Sequence, residues 1–261
     1  MSEVDPGRKN YVVTGGTSGI GKAVVRALAT KSSGNVIFCG TNKESGEALA
    51  HDLANGAAGI VEFVYADVTD GASLECMFRH VERKFEYLHG AFNAAGISGK
   101  DSLLRGVSFH ESNEDQFDRV IDVNLKGLWR SLRHELSIMV GQGHGAIVNC
   151  ASVAGLRCAD SMSASYTASK HAVVGISRAL AVEYARHGLR VNAVCPGVID
   201  TPMLGDMYQA LLADLRRKNP AARIGTPQDV AESVLFLLSE SSSYISGTTL
   251  TVDAGGLQGA L

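Results

Sequence analysis

The amino-acid sequence predicts a doubly wound α/β sandwich, a seven-stranded parallel sheet in a three-layer arrangement with helices on both faces. Short apolar runs alternate with longer amphipathic stretches along the whole chain, the pattern of strand-then-helix units in a parallel sheet. A glycine-rich turn follows the first apolar run and opens the first helical one, as in sheets wound both ways by right-handed crossovers. The chain carries 29 glycines in 261 residues with only five prolines. That glycine content, about 11% against a usual level of roughly 7%, has no collagen-like period and belongs in tight turns and close backbone approaches.

In chain order the expected strands are Tyr11–Thr14, Asn35–Cys39, Val61–Tyr65, Leu88–Asn93, Ala146–Cys150, Arg190–Cys195 and Thr248–Val252. Each is short, β-branched or aromatic, and bounded by glycine or polar residues. Between them the helical period runs over Ile20–Thr30, Lys43–Leu53, Ala72–Phe85, Glu114–Val140, Ser165–His187 and Pro227–Ser239. No linker, repeat or low-complexity tract interrupts this order, so one domain over residues 1–261 is expected, with a small lid at about 203–219. Two of the helices, Glu114–Val140 and Ser165–His187, are apolar on more than one face. An all-round apolar helix is buried on both sides, either in a thick core or, the favoured reading, at a subunit interface of a homodimer or homotetramer.

Composition narrows the function. The net charge is −3 and no long basic run occurs, which speaks against nucleic acid. The longest aliphatic stretches, such as Val234–Leu238, fall far short of the roughly 20 residues of a membrane span. The first ten residues have no apolar segment of the secretory kind. Five cysteines, Cys39, Cys76, Cys150, Cys158 and Cys195, are odd in number and lack a C-x-x-C pair, as suits reduced thiols in the cytoplasm. Eight histidines stand singly, and His134-Glu135 lacks the second histidine of a zinc-hydrolase motif, so no metal is expected.

The turn Thr14-Gly-Gly-Thr-Ser-Gly-Ile-Gly21 has glycine spacing that lets the backbone turn tightly, approach a pyrophosphate and seat helix on strand. The helix start behind it offers unpaired N–H groups and partial positive charge. Further along, Tyr166-Thr-Ala-Ser-Lys170 sets a phenol and an ammonium one helical turn apart. A phenol with a reference pKa near 10 is a poor base at neutral pH unless a cation favours its ionised form. Ser152 follows the strand Ala146–Cys150, at the carboxyl edge where open sheets bind ligands, and its hydroxyl can polarise a substrate carbonyl. No G-x-S-x-G elbow surrounds it, so hydrolase chemistry is not expected.

Together, Thr14–Gly21, Asn93-Ala-Ala-Gly96, Asn124, Ser152, Tyr166/Lys170 and Pro196-Gly197 resemble the compact single-domain branch of the short-chain dehydrogenases/reductases. The resemblance runs from the first strand to Val252-Asp-Ala-Gly-Gly256. It implies a Rossmann-type fold and hydride transfer between a nicotinamide cofactor and a secondary alcohol or ketone. It implies that Tyr166 is the general acid/base and that Ser152 orients the substrate oxygen. Lys170 would bind the nicotinamide ribose and depress the Tyr166 pKa, and Asn124 would hold a water in a proton relay to Lys170. Gly15, Thr17, Ser18, Gly19, Ile20 and Gly21 would cradle the dinucleotide. Asp67 and Val68 would meet the adenine; Asn93, Ala94 and Gly96 would stabilise the sheet and border the adenosine ribose; Pro196, Gly197, Ile199 and Thr201 would line the nicotinamide side.

The chain departs from the family pattern in three places. Asn93-Ala94 replaces the commoner Asn-Asn, Ala151 precedes Ser152, and Tyr166 lies fourteen residues beyond Ser152, one more than is usual. The intervening Arg157, Cys158, Asp160 and Met162 are expected to shape the substrate pocket. The lid would be amphipathic, through Met203, Leu204, Met207, Tyr208, Leu211 and Leu212, which suits a substrate with an apolar body. NADP(H) is expected ahead of NAD(H). NAD domains usually carry an acid about 20 residues past the glycines, whereas here Gly40 stands at that place and Thr41, Asn42 and Lys43 follow as donors to a 2′-phosphate. The rival reading is a catalytically silent nucleotide sensor or scaffold on the same fold; such a chain is expected to have lost its tyrosine, lysine or serine, and this one has all three.

Overall fold

The computed structural model describes residues 7–100, 107–158, 162–207 and 219–259. Within them, seven strands form one sheet in the order β3-β2-β1-β4-β5-β6-β7, every neighbouring pair parallel. The strands are β1 (Asn10–Thr14), β2 (Asn35–Gly40), β3 (Val61–Tyr65), β4 (Gly90–Asn93), β5 (Gly145–Cys150), β6 (Leu189–Pro196) and β7 (Thr249–Val252). The order reverses between β1 and β4, so their carboxyl ends open a crevice where ligands bind in such sheets. The expected strands are all present, within two residues at their ends. Asp160 and the expected lid residues Tyr208, Leu211 and Leu212 lie outside the described residues.

The helices are α1 (Gly19–Thr30), α2 (Lys43–Ala54), α3 (Gly71–Lys84), α4 (Glu114–Ile121), α5 (Leu128–Gln142), α6 (Ala164–Glu183) and α7 (Pro227–Leu238). Their starts follow from side-chain caps. Asn42 accepts from the Ser45 amide, Asp70 from Ala72 and Ser73, and Asn113 from Asp115. Thr226 and Asp229 form a reciprocal capping box behind Pro227. Each such cap satisfies an N–H that the helix cannot, worth about 1 kcal/mol.

Two apolar cores sandwich the sheet. On one face Val13, Phe38, Phe92 and Val148 meet Val24, Val25 and Leu28 of α1 and Val230, Val234 and Leu237 of α7. On the other, Val12, Ile37, Ala91 and Ile147 meet Met77 and Phe78 of α3, Leu132, Leu136 and Met139 of α5, and Val173 and Val174 of α6. Side chains alternate between the two faces along every strand, which is why the near-continuous apolar strands of the sequence serve both cores.

The expected single helix Glu114–Val140 is divided. A π-helical segment, Asp122–Gly127, separates α4 from α5. The expected helix to His187 also ends earlier, at Glu183, and closes in a 3-10 turn, Ala185–His187. Much of the apolar excess on these helices goes into the core. What is left exposed is Phe117 on α4, Trp129 on α5 and Val182 on α6, with Arg133 lying over the Trp129 ring at 4.9 Å. Among the described residues no helix is long and apolar enough to cross a membrane.

Candidate active site

A cleft of about 1690 Å³ lies along the carboxyl edge of the sheet. Its floor is the glycine turn between β1 and α1. Gly15 has φ +68°, and a Cβ there would lie 2.5 Å from the Ala95 amide nitrogen. A Cβ on Gly21 would lie 2.1 Å from the Gly15 carbonyl oxygen. These two glycines therefore let α1, the turn and the end of β4 approach one another more closely than any side chain allows. The cap residue Ser18 makes no side-chain bond to the first turn of α1, and that turn carries no acid. Among the described residues no side chain caps its N–H groups, which with the positive end of the helix dipole make a fitting cradle for the phosphates of a dinucleotide.

On the far wall, β5 delivers Ser152 and α6 delivers Tyr166 and Lys170, and all three line the cleft. Ser152 caps the short turn Val153–Gly155, its Oγ accepting from the Ala154 amide at 3.1 Å. The Ser163 hydroxyl accepts from the Tyr166 amide at 3.2 Å and so fixes the start of α6. Tyr166 and Lys170 are both buried, 8% and 5% exposed, and the Lys170 Nζ lies 5.6 Å from the Tyr166 ring centroid. That ammonium donates to the Cys150 carbonyl at 2.8 Å, which anchors one of its three protons and leaves the rest to other acceptors.

Asn124 stands in the π segment, behind the cleft wall. Its Oδ1 accepts from the Ile97 amide at 2.8 Å, and its Nδ2 donates to the Ile97 carbonyl at 2.9 Å and to the Ser169 Oγ at 3.0 Å. It therefore ties the loop after β4 to α6. A Cβ on Gly96 would sit 3.3 Å from the Asn124 Oδ1 and 3.6 Å from the Lys170 Nζ, so the two polar groups converge on one bare stretch of backbone. π segments of this kind commonly occur at functional sites.

At the opposite end the cleft is lined by Gly40, Thr41, Tyr65, Asp67, Val68 and Thr69. The Asp67 Oδ1 accepts from both the amide and the hydroxyl of Thr69, at 2.9 and 2.8 Å. Gly40 pairs with Tyr65 across β2 and β3, and a Cβ on Gly40 would meet the Thr17 side chain at 2.8 Å. Thr17, Ser18, Gly19, Ile20, Ala94 and Gly96 line the cleft, and Pro196, Gly197, Ile199 and Thr201 line its other side.

Three expected cofactor contacts stand elsewhere. Asn93 is buried below the cleft, accepting from Thr14 and donating to Glu135 and Asn149; it faces the core because β4 alternates its side chains. Asn42 is spent on capping α2. Lys43 lies on the first turn of that helix, 3.8 Å from Glu47 at i+4. Neither is among the cleft residues. Sequence reasoning missed Tyr65, Asp253 and Leu257, all of which line the cleft. Tyr65 could have been found from strand register with Gly40, while the other two are brought in by the chain end. There Leu257 donates its amide to Asp253 and accepts from Arg157.

The fold and this crevice define a dinucleotide-binding enzyme of the Rossmann type, with a tyrosine, a lysine and a serine on the wall facing the phosphate cradle. Comparison with known proteins gives the family. A family model described as enoyl-(acyl carrier protein) reductase matches residues 15–256. Levodione reductase of Leifsonia aquatica is 37% identical over 254 residues, covering 94% of this chain and 92% of that protein. Cyclohexanol dehydrogenase of Acinetobacter sp. strain SE19 is 35% identical over 245 residues, covering 94% and 93%. Among solved structures, ElxO with NADP bound superposes with a TM-score of 0.87 at 31% identity, covering 96% of this chain and 99% of that one. The chain belongs to the short-chain dehydrogenase/reductase family, and is an oxidoreductase working with a nicotinamide cofactor.

Proposed function

We propose that this chain, as one dinucleotide-binding domain with a lid near 203–219, interconverts a secondary alcohol and its ketone, the carbonyl carbon carried on an apolar ring or chain. The observation that carries the reading is the meeting of Ser152, Tyr166 and Lys170 on one wall of the cleft, opposite the phosphate cradle. The cofactor, when bound, supplies or accepts the hydride. The protein's own groups handle the oxygen and its proton. The hydroxyls of Ser152 and Tyr166 both donate to the substrate oxygen and stabilise the negative charge that develops there on reduction. Tyr166 then passes its proton to that oxygen. The ammonium of Lys170, held by the Cys150 carbonyl, favours the resulting phenolate. Asn124, which with Lys170 flanks Gly96, supports the proton path that restores the phenol.

The relatives support the substrate class by their names: a levodione reductase and a cyclohexanol dehydrogenase are consistent with a cyclic ketone or carbinol. Met162, Met203, Leu204, Ile224 and Leu257 line the substrate end and suit an apolar body. For the cofactor we favour NADP(H), supported by the absence of any side chain at Gly40 and by the hydroxyls of Thr17 and Thr41 beside it. With Lys43 turned toward Glu47, the preference over NAD(H) is modest, about tenfold. We further propose a homodimer or homotetramer, supported by exposed Phe117, Trp129 and Val182. A cytoplasmic location is supported by five free thiols. The test of the reading is a spectrophotometric screen of cyclic and acyclic ketones and secondary alcohols against both cofactors. Turnover of a cyclic ketone supports it, and oxidoreduction confined to carbon–carbon double bonds refutes it.

A further inference from the structure

Beneath the cleft a polar ladder crosses the sheet. Thr14, Asn93 and Asn149 are register partners on β1, β4 and β5. The Thr14 Oγ1 donates to the Asn93 Oδ1 at 3.1 Å, and the Asn93 Nδ2 donates to the Asn149 Oδ1 at 3.0 Å. The Asn149 Nδ2 continues the ladder to the Ser177 hydroxyl of α6 at 2.9 Å. From α5 a carboxyl is inserted into this ladder. Glu135 is 0% exposed, and its Oε2 accepts from the Asn93 Nδ2 at 2.9 Å. Its Oε1 is buried without a partner among the described residues.

Among the described residues no cation pairs with this carboxyl. From β2, Cys39 faces it, a thiol raised to about 12, by burial first and by the carboxyl itself to a smaller extent. From α3, Glu75 and Glu82 act on the neighbouring His134. On the carboxyl's own helix, Arg133 covers Trp129 and Arg130 reaches Asp122 and the Val68 carbonyl. Lys170 of α6 is held by the Cys150 carbonyl. Burying an isolated carboxylate is far costlier than burying the acid.

We propose that Glu135 is a positioning residue. Held as an uncharged acid in the ladder, it fixes Asn93 and thereby the strand end that carries Ala94, Ala95 and Gly96 into the dinucleotide cleft. Its ionisation loosens both the fold and the grip on the dinucleotide. The second half of this inference rests on the reading of the cleft as the cofactor site. Burial lifts the Glu135 pKa to about 7, against the hydrogen bond from Asn93 that lowers it. Between the unfolded value of 4.5 and that raised value the folded chain holds a proton that the unfolded chain has released. Stability therefore falls as pH rises through this window and levels off above it.

Glu135→Gln keeps the shape and the acceptor for Asn93 and cannot ionise. The experiment compares urea unfolding of the parent and Glu135→Gln from pH 5 to pH 8, with NADPH and NADH dissociation constants followed by fluorescence over the same range. The parent is expected to lose on the order of fiftyfold more in its folding equilibrium constant than the variant. Its dissociation constants should rise several-fold, while those of the variant stay flat. Parallel pH profiles for the two proteins overturn the proposal, as does a stability difference with no difference in affinity. Failure of both proteins to bind either dinucleotide at any pH removes the cofactor reading and the positioning role with it, while the stability profiles still report the proton on Glu135. Should Glu135→Gln fail to fold, the infrared carbonyl band of a protonated carboxylic acid, titrated in the parent, decides: its absence at pH 6 overturns the proposal.

Discussion

The end of β2 offers a direct way to test the cofactor preference. Gly40 is not among the residues in the left-handed region, so the backbone there accepts any side chain. What opposes one is Thr17, whose Cγ2 and Oγ1 lie 2.8 Å from the position a Cβ would take. Normal carbon contacts are about 3.5–4.0 Å, so Gly40→Ala must push Thr17 aside, an overpacking cost of roughly 1–3 kcal/mol. Thr17 lines the cleft, so that cost weakens both cofactors alike. Gly40→Asp adds a charge, and only the cofactor with a 2′-phosphate feels it strongly. Two unit charges about 5 Å apart repel by ~3 kcal/mol at an effective dielectric of 20. Exposure at the cleft mouth trims this to ~1.4 kcal/mol or more, a tenfold or larger fall in the NADP over NAD ratio. The assay is kcat/KM for both cofactors in the parent, Gly40→Ala, Gly40→Asp and the double variant Thr17→Ala/Gly40→Asp, which relieves the clash. Gly40→Ala should lower both values with the ratio held. The double variant should recover NAD turnover and keep the lowered ratio. A ratio unmoved by the carboxylate in both Asp variants refutes the reasoning, and so does a parent that prefers NAD.

Other consequences are as accessible. Tyr166→Phe should lose about 10²–10⁴-fold in kcat with cofactor affinity nearly intact, since only a proton donor is removed; near-normal turnover would contradict the mechanism. Lys170→Ala should damage rate and cofactor dissociation constant together, readable by single-turnover kinetics and fluorescence titration. Gly21→Ala sets a methyl 2.1 Å from the Gly15 carbonyl and should abolish dinucleotide binding, with the thermal midpoint of the apoprotein lowered as well; retained binding would refute the assignment of that turn as the cradle. Light scattering at micromolar concentration should return a dimer or tetramer, and Trp129→Glu should shift it toward monomer.

Much of this was legible from local chemistry. The strands, the glycine turn and the Tyr166/Lys170 spacing each depend on neighbours within a few residues, so periodicity and motif reading reach them. The π segment does not announce itself, because the apolar pattern passes through Asp122–Gly127 without a break. Glu135 reads as an ordinary helical acid, and nothing local tells that Asn93, 42 residues away, draws it into the sheet. The same holds for Gly40, whose bare position is legible in the sequence while the Thr17 side chain packed against it is not. Asn42 shows the converse: a side chain that local chemistry offers to a phosphate is taken by the helix it caps.

The π segment carries one residue more than an α-helix needs to join α4 to α5, since π-bulges are single-turn interruptions of otherwise regular helices. A helix one residue shorter would connect the same ends in the same phase. The core positions on either side, Val120 before it and Leu132, Leu136 and Met139 after it, would keep their places. What would be lost is the side chain at 124 that bridges Ile97 and Ser169. A single codon thus separates a chain that ties the loop after β4 to α6 through this bridge from one that keeps the helix and loses the tie.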